Sequence, residues 1–186
     1  MGKKLKKIKN IRIHNEGNDQ LIYGLLFIVA VGVMLWHFVS NPIPFWVFLA
    51  VAGVIYGIVL NFYRCPIRYL NMEITDGIVV APADGKIVVI EEVDEDTYFH
   101  DRRLMISIFM SLTNVHANWF PVDGKVKMVR HFDGNFYRAY LPKASEENEH
   151  ADIMITTERG VDVLCRQIAG AMARRIVTYA KEGEEC

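Results

Sequence analysis

The sequence has no paired cysteines, no paired histidines and no excess of charge of one sign. Its three cysteines, Cys65, Cys165 and Cys186, are far apart with no CxxC pair, which excludes a disulfide framework and a zinc ribbon and suits a reducing compartment. No HxxxH spacing occurs among the six histidines, so no metal site is expected. Lys and Arg number 21 against 22 Asp and Glu, a net charge of -1 that argues against a nucleic-acid binder. Charge is missing altogether from two stretches. Leu21–Val39 and Phe45–Phe62 hold no Asp, Glu, Lys or Arg, and the apolar excess behind the 52% hydrophobic content sits there.

A helix needs roughly 20 apolar residues to cross the hydrocarbon core. Both stretches qualify, the second marginally, and Ser40-Asn41-Pro42-Ile43-Pro44 between them ends one helix and starts the next. So short a link predicts an antiparallel transmembrane hairpin over residues 21–63. A signal peptide and a buried hairpin of a soluble protein are the competing readings. Lys3, Lys4, Lys6, Lys7, Lys9 and Arg12 precede the first span, and Arg64 and Arg68 follow the second. The turn carries none, so both ends should face the cytoplasm. Trp36 and Trp46 are placed as interfacial anchors at the opposite side, and His37 reads as interfacial. Residues 1–20 form a basic cytoplasmic N-terminus that can also draw anionic headgroups.

Residues 64–186 read as one domain. Asp-Gly pairs at 76–77, 84–85, 123–124 and 133–134 signal tight turns. Between them lie β-rich runs: Ile78–Val80, Lys86–Val93, Leu104–Met110, Lys125–Arg130, Asp152–Thr157 and Val161–Arg166. The expected class is all-β, a sandwich or barrel with a short helix. The almost wholly apolar Leu104–Met110 is the expected central strand. Pro142–His150 reads as a solvated acidic loop, and Gln167–Ala180 suggests a helix by its apolar spacing. His100, in the charged string YFHDRR, reads as surface.

Four strings point further. They are Ala81-Pro82-Ala83-Asp84-Gly85-Lys86, the segment Asn114–Gly124 (NVHANWFPVDG), Gly134-Asn135-Phe136 with Asn148-Glu149, and Gln167-Ile168-Ala169-Gly170 running into Ala173-Arg174-Arg175-Ile176. Together, and in this order, they resemble the short bacterial form of phosphatidylserine decarboxylase, over essentially the whole chain. The resemblance implies a self-processing proenzyme. A serine in a Gly-Ser pair near the C-terminus splits the chain and leaves a pyruvoyl group on a small α chain. That cofactor takes up the electrons left when CO2 departs from phosphatidylserine, and the product is phosphatidylethanolamine.

The resemblance places Asp84 as the charge partner of a base, and His116 either as a general base for the serine hydroxyl or as a group that positions the substrate carboxylate. Longer family members carry a second histidine where Trp119 stands here, which leaves the step served by His116 open. A structural turn aspartate is the bland reading of Asp84. Arg174 and Arg175 are candidates for substrate phosphate or carboxylate, or else an exposed helix face. Glu149 reads as a solvated acid. Trp119 and Phe120 are candidates to dip into the lipid interface.

The serines are Ser40, Ser107, Ser111 and Ser145, and none follows a glycine. The expectation is therefore a large-chain portion cut short of its natural end, inactive alone, with the pyruvoyl serine beyond Cys186. The expected location is the bacterial inner membrane, with the catalytic domain on the cytoplasmic side. The expected partners are the bilayer, phosphatidylserine and the α chain; an open sheet edge also invites self-association. A non-enzymatic membrane-anchored adaptor, and decarboxylation of an ether lipid with the same serine headgroup, are the alternatives.

Overall fold

The computed structural model describes residues 11–68, 77–139 and 144–186. The five lysines of the N-terminus, Asp76 of the first Asp-Gly pair and Pro142 of the acidic loop lie outside them. Contacts divide the chain into two compact units. One holds the N-terminal part to Glu73 together with Ala83–Lys86 and Met110–Ala117; the other holds the remainder.

The first unit is a helical hairpin closed at its base. Strand β1 (Ile11–Ile13) leads into a 3-10 turn (Asn15–Gly17) and helix α1 (Asn18–Phe38); helix α2 (Ile43–Phe62) follows and ends in β2 (Arg64–Pro66). The Asn41 side chain accepts the Ile43 N–H at 3.0 Å, satisfying the first backbone donor of α2. The helices are antiparallel neighbours: the Tyr56 hydroxyl of α2 donates to the Leu21 carbonyl of α1 at 3.3 Å. At the turn the Trp36 and Phe45 rings meet edge to face at 5.2 Å. Strands β1 and β2 pair antiparallel, Ile11 with Pro66 and Ile13 with Arg64. A Cβ on Gly17 would lie 2.4 Å from the Tyr63 ring, so only glycine lets the chain pass there.

Both helices are long and apolar enough to cross a bilayer, and their hydrophobic windows are only 11% and 6% buried. A core hairpin of a soluble protein would bury its apolar side chains. Here Ile22, Leu26, Phe27, Trp46 and Val54 are each more than half exposed.

The second unit is strand-rich. Strand β3 (Lys86–Glu95, its first residue in the other unit) and β4 (Asp101–Phe109) form a two-stranded sheet; β5 (Lys125–Phe132), β6 (His150–Thr156) and β7 (Asp162–Ile168) form a three-stranded antiparallel sheet in the order β5-β6-β7. Among the described residues neither sheet closes on itself, so the finding is a strand-rich fold of small open sheets, not a demonstrated barrel. Strand β6 is central, with Ala151 to Ile155 all buried. The core is Val126, Ile153 and Ile155, flanked by Val122, Val129, Cys165, Ala180 and Cys186.

Several expectations need correction. Leu104–Met110 is not a central strand. Its residues to Phe109 belong to β4, whose Leu104 and Ile106 are 64% and 52% exposed, as are Val88 and Ile90 of β3 at 55% and 62%. Each pair is two residues apart and so shares one face, uncovered among the described residues. No helix forms in Gln167–Ala180: β7 runs to Ile168 and the rest is irregular. Its backbone donors are committed elsewhere, Ala169 to the Glu149 carbonyl and Gly170 to that of Ala173. The run Ile176-Val177-Thr178-Tyr179 also favours extended backbone.

The Asp-Gly pairs divide by cause. Only Gly77 among the four glycines has positive φ. Gly124 and Gly134 are required by close approach instead: a Cβ would meet the Thr156 carbonyl oxygen at 2.4 Å and the Asn148 backbone at 2.5 Å. Finally, residues 183–186 run along the outer edge of β5. Gly124 and Cys186 exchange backbone bonds at 3.0 and 2.8 Å, and Gly183 donates to Val126 at 2.8 Å.

Candidate active site

The PADG and NVHANWFP strings run side by side. Val80 donates to the Pro121 carbonyl at 2.8 Å, and Trp119 donates to that of Pro82 at 2.9 Å. The pairing is antiparallel, so Asp84, two residues past Pro82, and His116, three before Trp119, leave it at the same end. Both then fall in the compact unit of the helical hairpin.

His116 is partly buried, next to the buried Val115. Its ring stacks on Phe62 at 4.2 Å. Its Nδ1 lies 3.1 Å from the Asn114 carbonyl oxygen. A carbonyl only accepts, so Nδ1 carries the proton in the neutral ring and Nε2 is left as an acceptor. Burial pulls the His116 pKa below the usual histidine value, and the positive charge of Arg64 adds to this, while the Asn114 bond opposes it. The ring is therefore neutral at pH 7, the form in which a base can take a proton.

Asp84 is ion-paired to Arg68 through a short contact between Nη2 and Oδ2, with both side chains partly exposed. It makes no direct hydrogen bond to His116 in the structure. The loop holding His116 is stiffened from within: Asn114 Oδ1 accepts from the Ser111 N–H at 2.9 Å and from its hydroxyl at 2.7 Å.

The remaining strings meet in the second unit through Asn148, which is 1% exposed. Its side chain accepts from the Tyr137 N–H at 2.9 Å and donates to the carbonyls of Tyr137 and Ala169 at 2.8 and 2.7 Å. All its polar capacity toward these segments is used, so it pins the GNF and QIAG strings together. Glu149 is not the solvated acid expected from its acidic neighbours. Its side chain is 15% exposed and lies 3.3 Å from His131, and its Oε1 accepts the Ile176 N–H at 3.2 Å. The short helix α3 (Ala144–Glu147) turns the chain so that Asn148 and Glu149 point inward.

Arg174 and Arg175 are both exposed. Arg174 sits 5.7 Å over the Phe136 ring and donates to the Ala171 carbonyl at 3.1 Å. Arg175 makes no hydrogen bond or ion pair among the described residues. No cluster of His, Cys, Asp and Glu able to hold a metal occurs among them. Sequence reasoning missed a buried network in the same unit. Asp152, 0% exposed, takes two bonds from Arg166 at 2.7 Å each and one from the Tyr98 hydroxyl at 2.8 Å. The only signal was an acid among the apolar residues of β6.

These features define a chain in which a neutral, oriented imidazole packs against the end of an apolar helical hairpin and a carboxylate is ion-paired to an arginine just past it, with a strand-rich unit beside them in sequence. The family model for phosphatidylserine decarboxylase matches residues 55–186. Relatives named phosphatidylserine decarboxylase proenzyme extend the match. The protein of Bacteroides thetaiotaomicron is 58% identical over 98% of this chain and 80% of its own length. That of Porphyromonas gingivalis is 47% identical over 95% and 80%. That of Amoebophilus asiaticus is 36% identical over 94% and 77%. The chain belongs to the phosphatidylserine decarboxylase family.

Proposed function

We propose that this chain is the large-chain part of a pyruvoyl-dependent phosphatidylserine decarboxylase, which converts phosphatidylserine to phosphatidylethanolamine and CO2 at the inner face of a bacterial cell membrane. The observation that carries the reading is His116, held neutral with Nε2 free beside the Asp84 segment. The donor set fits the group the family uses, because forming it from a serine needs a neutral base and no metal. None of Ser40, Ser107, Ser111 and Ser145 follows a glycine, so the serine comes from outside these residues. When bound, the pyruvoyl group supplies an acceptor for the electron pair released with CO2.

This chain's residues do the rest. His116 Nε2 takes the proton of the attacking serine hydroxyl, and the same nitrogen can return a proton to the product carbon. The Asp84 carboxylate favours the imidazolium that forms in between. Arg175, exposed and uncommitted among the described residues, is the better candidate for the lipid phosphate; Arg174 is already engaged by Phe136. The uncovered face of β3 and β4 is available to the small chain. The helical hairpin keeps the site at the height of the headgroup and reduces the search for lipid to two dimensions.

The test is release of labelled CO2 from carboxyl-labelled phosphatidylserine vesicles by the full-length protein. Wild type should release it, while Asp84→Asn and His116→Gln should remain uncleaved or fall by about 100-fold or more. Unchanged release by both variants would remove these residues from the site.

A further inference from the structure

The end of α2, the strand after it and the residue Arg68 just past that strand reach both candidate catalytic residues. Phe62, in the last turn of α2, lays its ring on the His116 imidazole at 4.2 Å and 29°. Arg64, two residues on, bonds the Thr113 carbonyl through Nη2 at 2.8 Å, three residues before His116. Its Nη1 also reaches the Asn61 carbonyl at 3.4 Å, so the guanidinium bridges the C-terminal end of the helix and the catalytic loop. Arg68 pairs with Asp84. Pairing of β1 with β2 fixes the segment that carries Arg64, Ile13 lying opposite it. A tether would need none of these contacts.

We propose that Phe62 and Arg64 are positioning residues for the His116 imidazole, and Arg68 for the Asp84 carboxylate, so that the helical hairpin ends as a wall of the catalytic site. The proposal rests on the function proposed above, in which His116 is the base. Phe62 fixes the ring plane and keeps water from one face. Arg64 fixes the loop through Thr113 and places a positive charge where it disfavours imidazolium. The groups that face the ring are thus the Phe62 side chain from α2, the Arg64 guanidinium from β2 and the Asn114 carbonyl from its own loop. Arg68 restricts the rotation of a carboxylate that is otherwise partly exposed.

The first test is a histidine NMR titration of the 186-residue chain in detergent, with His116→Gln assigning the signal. Wild-type His116 should titrate below the usual histidine value. Arg64→Gln should move the midpoint up, because a cation is lost, and Arg64→Lys should restore it, because the charge is kept. Phe62→Leu should also move it up by admitting water. Wild-type titration in both Arg64→Gln and Phe62→Leu would overturn the proposal. Far-UV circular dichroism identifies a variant that has not folded, in which case the Arg64→Lys and Phe62→Leu pair decides.

The second test follows self-cleavage of the full-length proenzyme against pH. Arg64→Gln should shift the acid limb of the profile upward. Arg68→Gln should slow cleavage on the order of 10-fold, with partial recovery in Arg68→Lys, while the exposed Arg102→Gln serves as control. Slowing without any movement of the limb in Arg64→Gln would mean a structural role only and would overturn the positioning claim. Absence of cleavage and decarboxylation in wild type would instead refute the proposed function, and the titration would still decide the positioning.

Discussion

Replacing Arg166 with methionine should expose how the second unit is held together. Asp152 lies at 0% exposure on the central strand and its carboxylate is satisfied by three donors, two from Arg166 and one from Tyr98. Losing one member of a buried pair costs about 3–5 kcal/mol, because the other charge stays buried without it. The Arg166 side chain is 31% exposed, so solvent screens part of the interaction and the lower end, about 3 kcal/mol, applies. Amide hydrogen exchange on peptides from β6, in the detergent-solubilised chain, reads this directly. Exchange through global opening should accelerate about 100-fold. The combination Asp152→Leu, Arg166→Met and Tyr98→Phe should recover most of the loss, since a packed apolar set can replace a buried pair. Unchanged β6 protection in Arg166→Met would refute the reasoning.

Three further outcomes follow from the same structure. Gly134→Ala should destabilise by about 1–3 kcal/mol in urea melts, because its Cβ would lie 2.5 Å from the Asn148 backbone; an unchanged midpoint would contradict that. Cys165 should resist alkylation at pH 8 until urea opens the fold, because burial pushes its thiol up to about 11. The pKa of folded His116 lies below its unfolded value, so the unfolded chain binds that proton first as pH falls. Its contribution to stability is whole above about pH 6.5 and is lost as pH falls through the folded value. His116→Gln should therefore flatten the acid side of a stability profile, and an identical profile would count against a buried neutral ring.

The local signals in the sequence carried far where backbone chemistry decides. The hairpin was legible because two uncharged stretches and the proline-bearing turn leave few alternatives. The bodies of β3, β5, β6 and β7 fell where β-branched runs placed them. The misreadings have a common origin in tertiary context. Leu104–Met110 looks buried by composition, yet its exposure depends on what covers one face of a two-stranded sheet. Gln167–Ala180 has helical spacing, but its donors find partners on Glu149 and in a turn at Ala173. Glu149 stands among acids in sequence and faces His131 in space. As candidates for the site, Asp84 and His116 were reachable only through the resemblance. The contacts of Phe62, Arg64 and Arg68 were not reachable at all, since apolar and basic residues at a helix exit carry the same pattern whether they touch another loop or only water.

The account is tested most directly by the intact mass of the protein expressed from its full-length gene in membranes. The expected result is two chains, the smaller with a blocked pyruvoyl N-terminus, and a single unsplit chain when His116 is replaced by Gln. A wild-type protein that stays in one piece and leaves phosphatidylserine vesicles unaltered would contradict it.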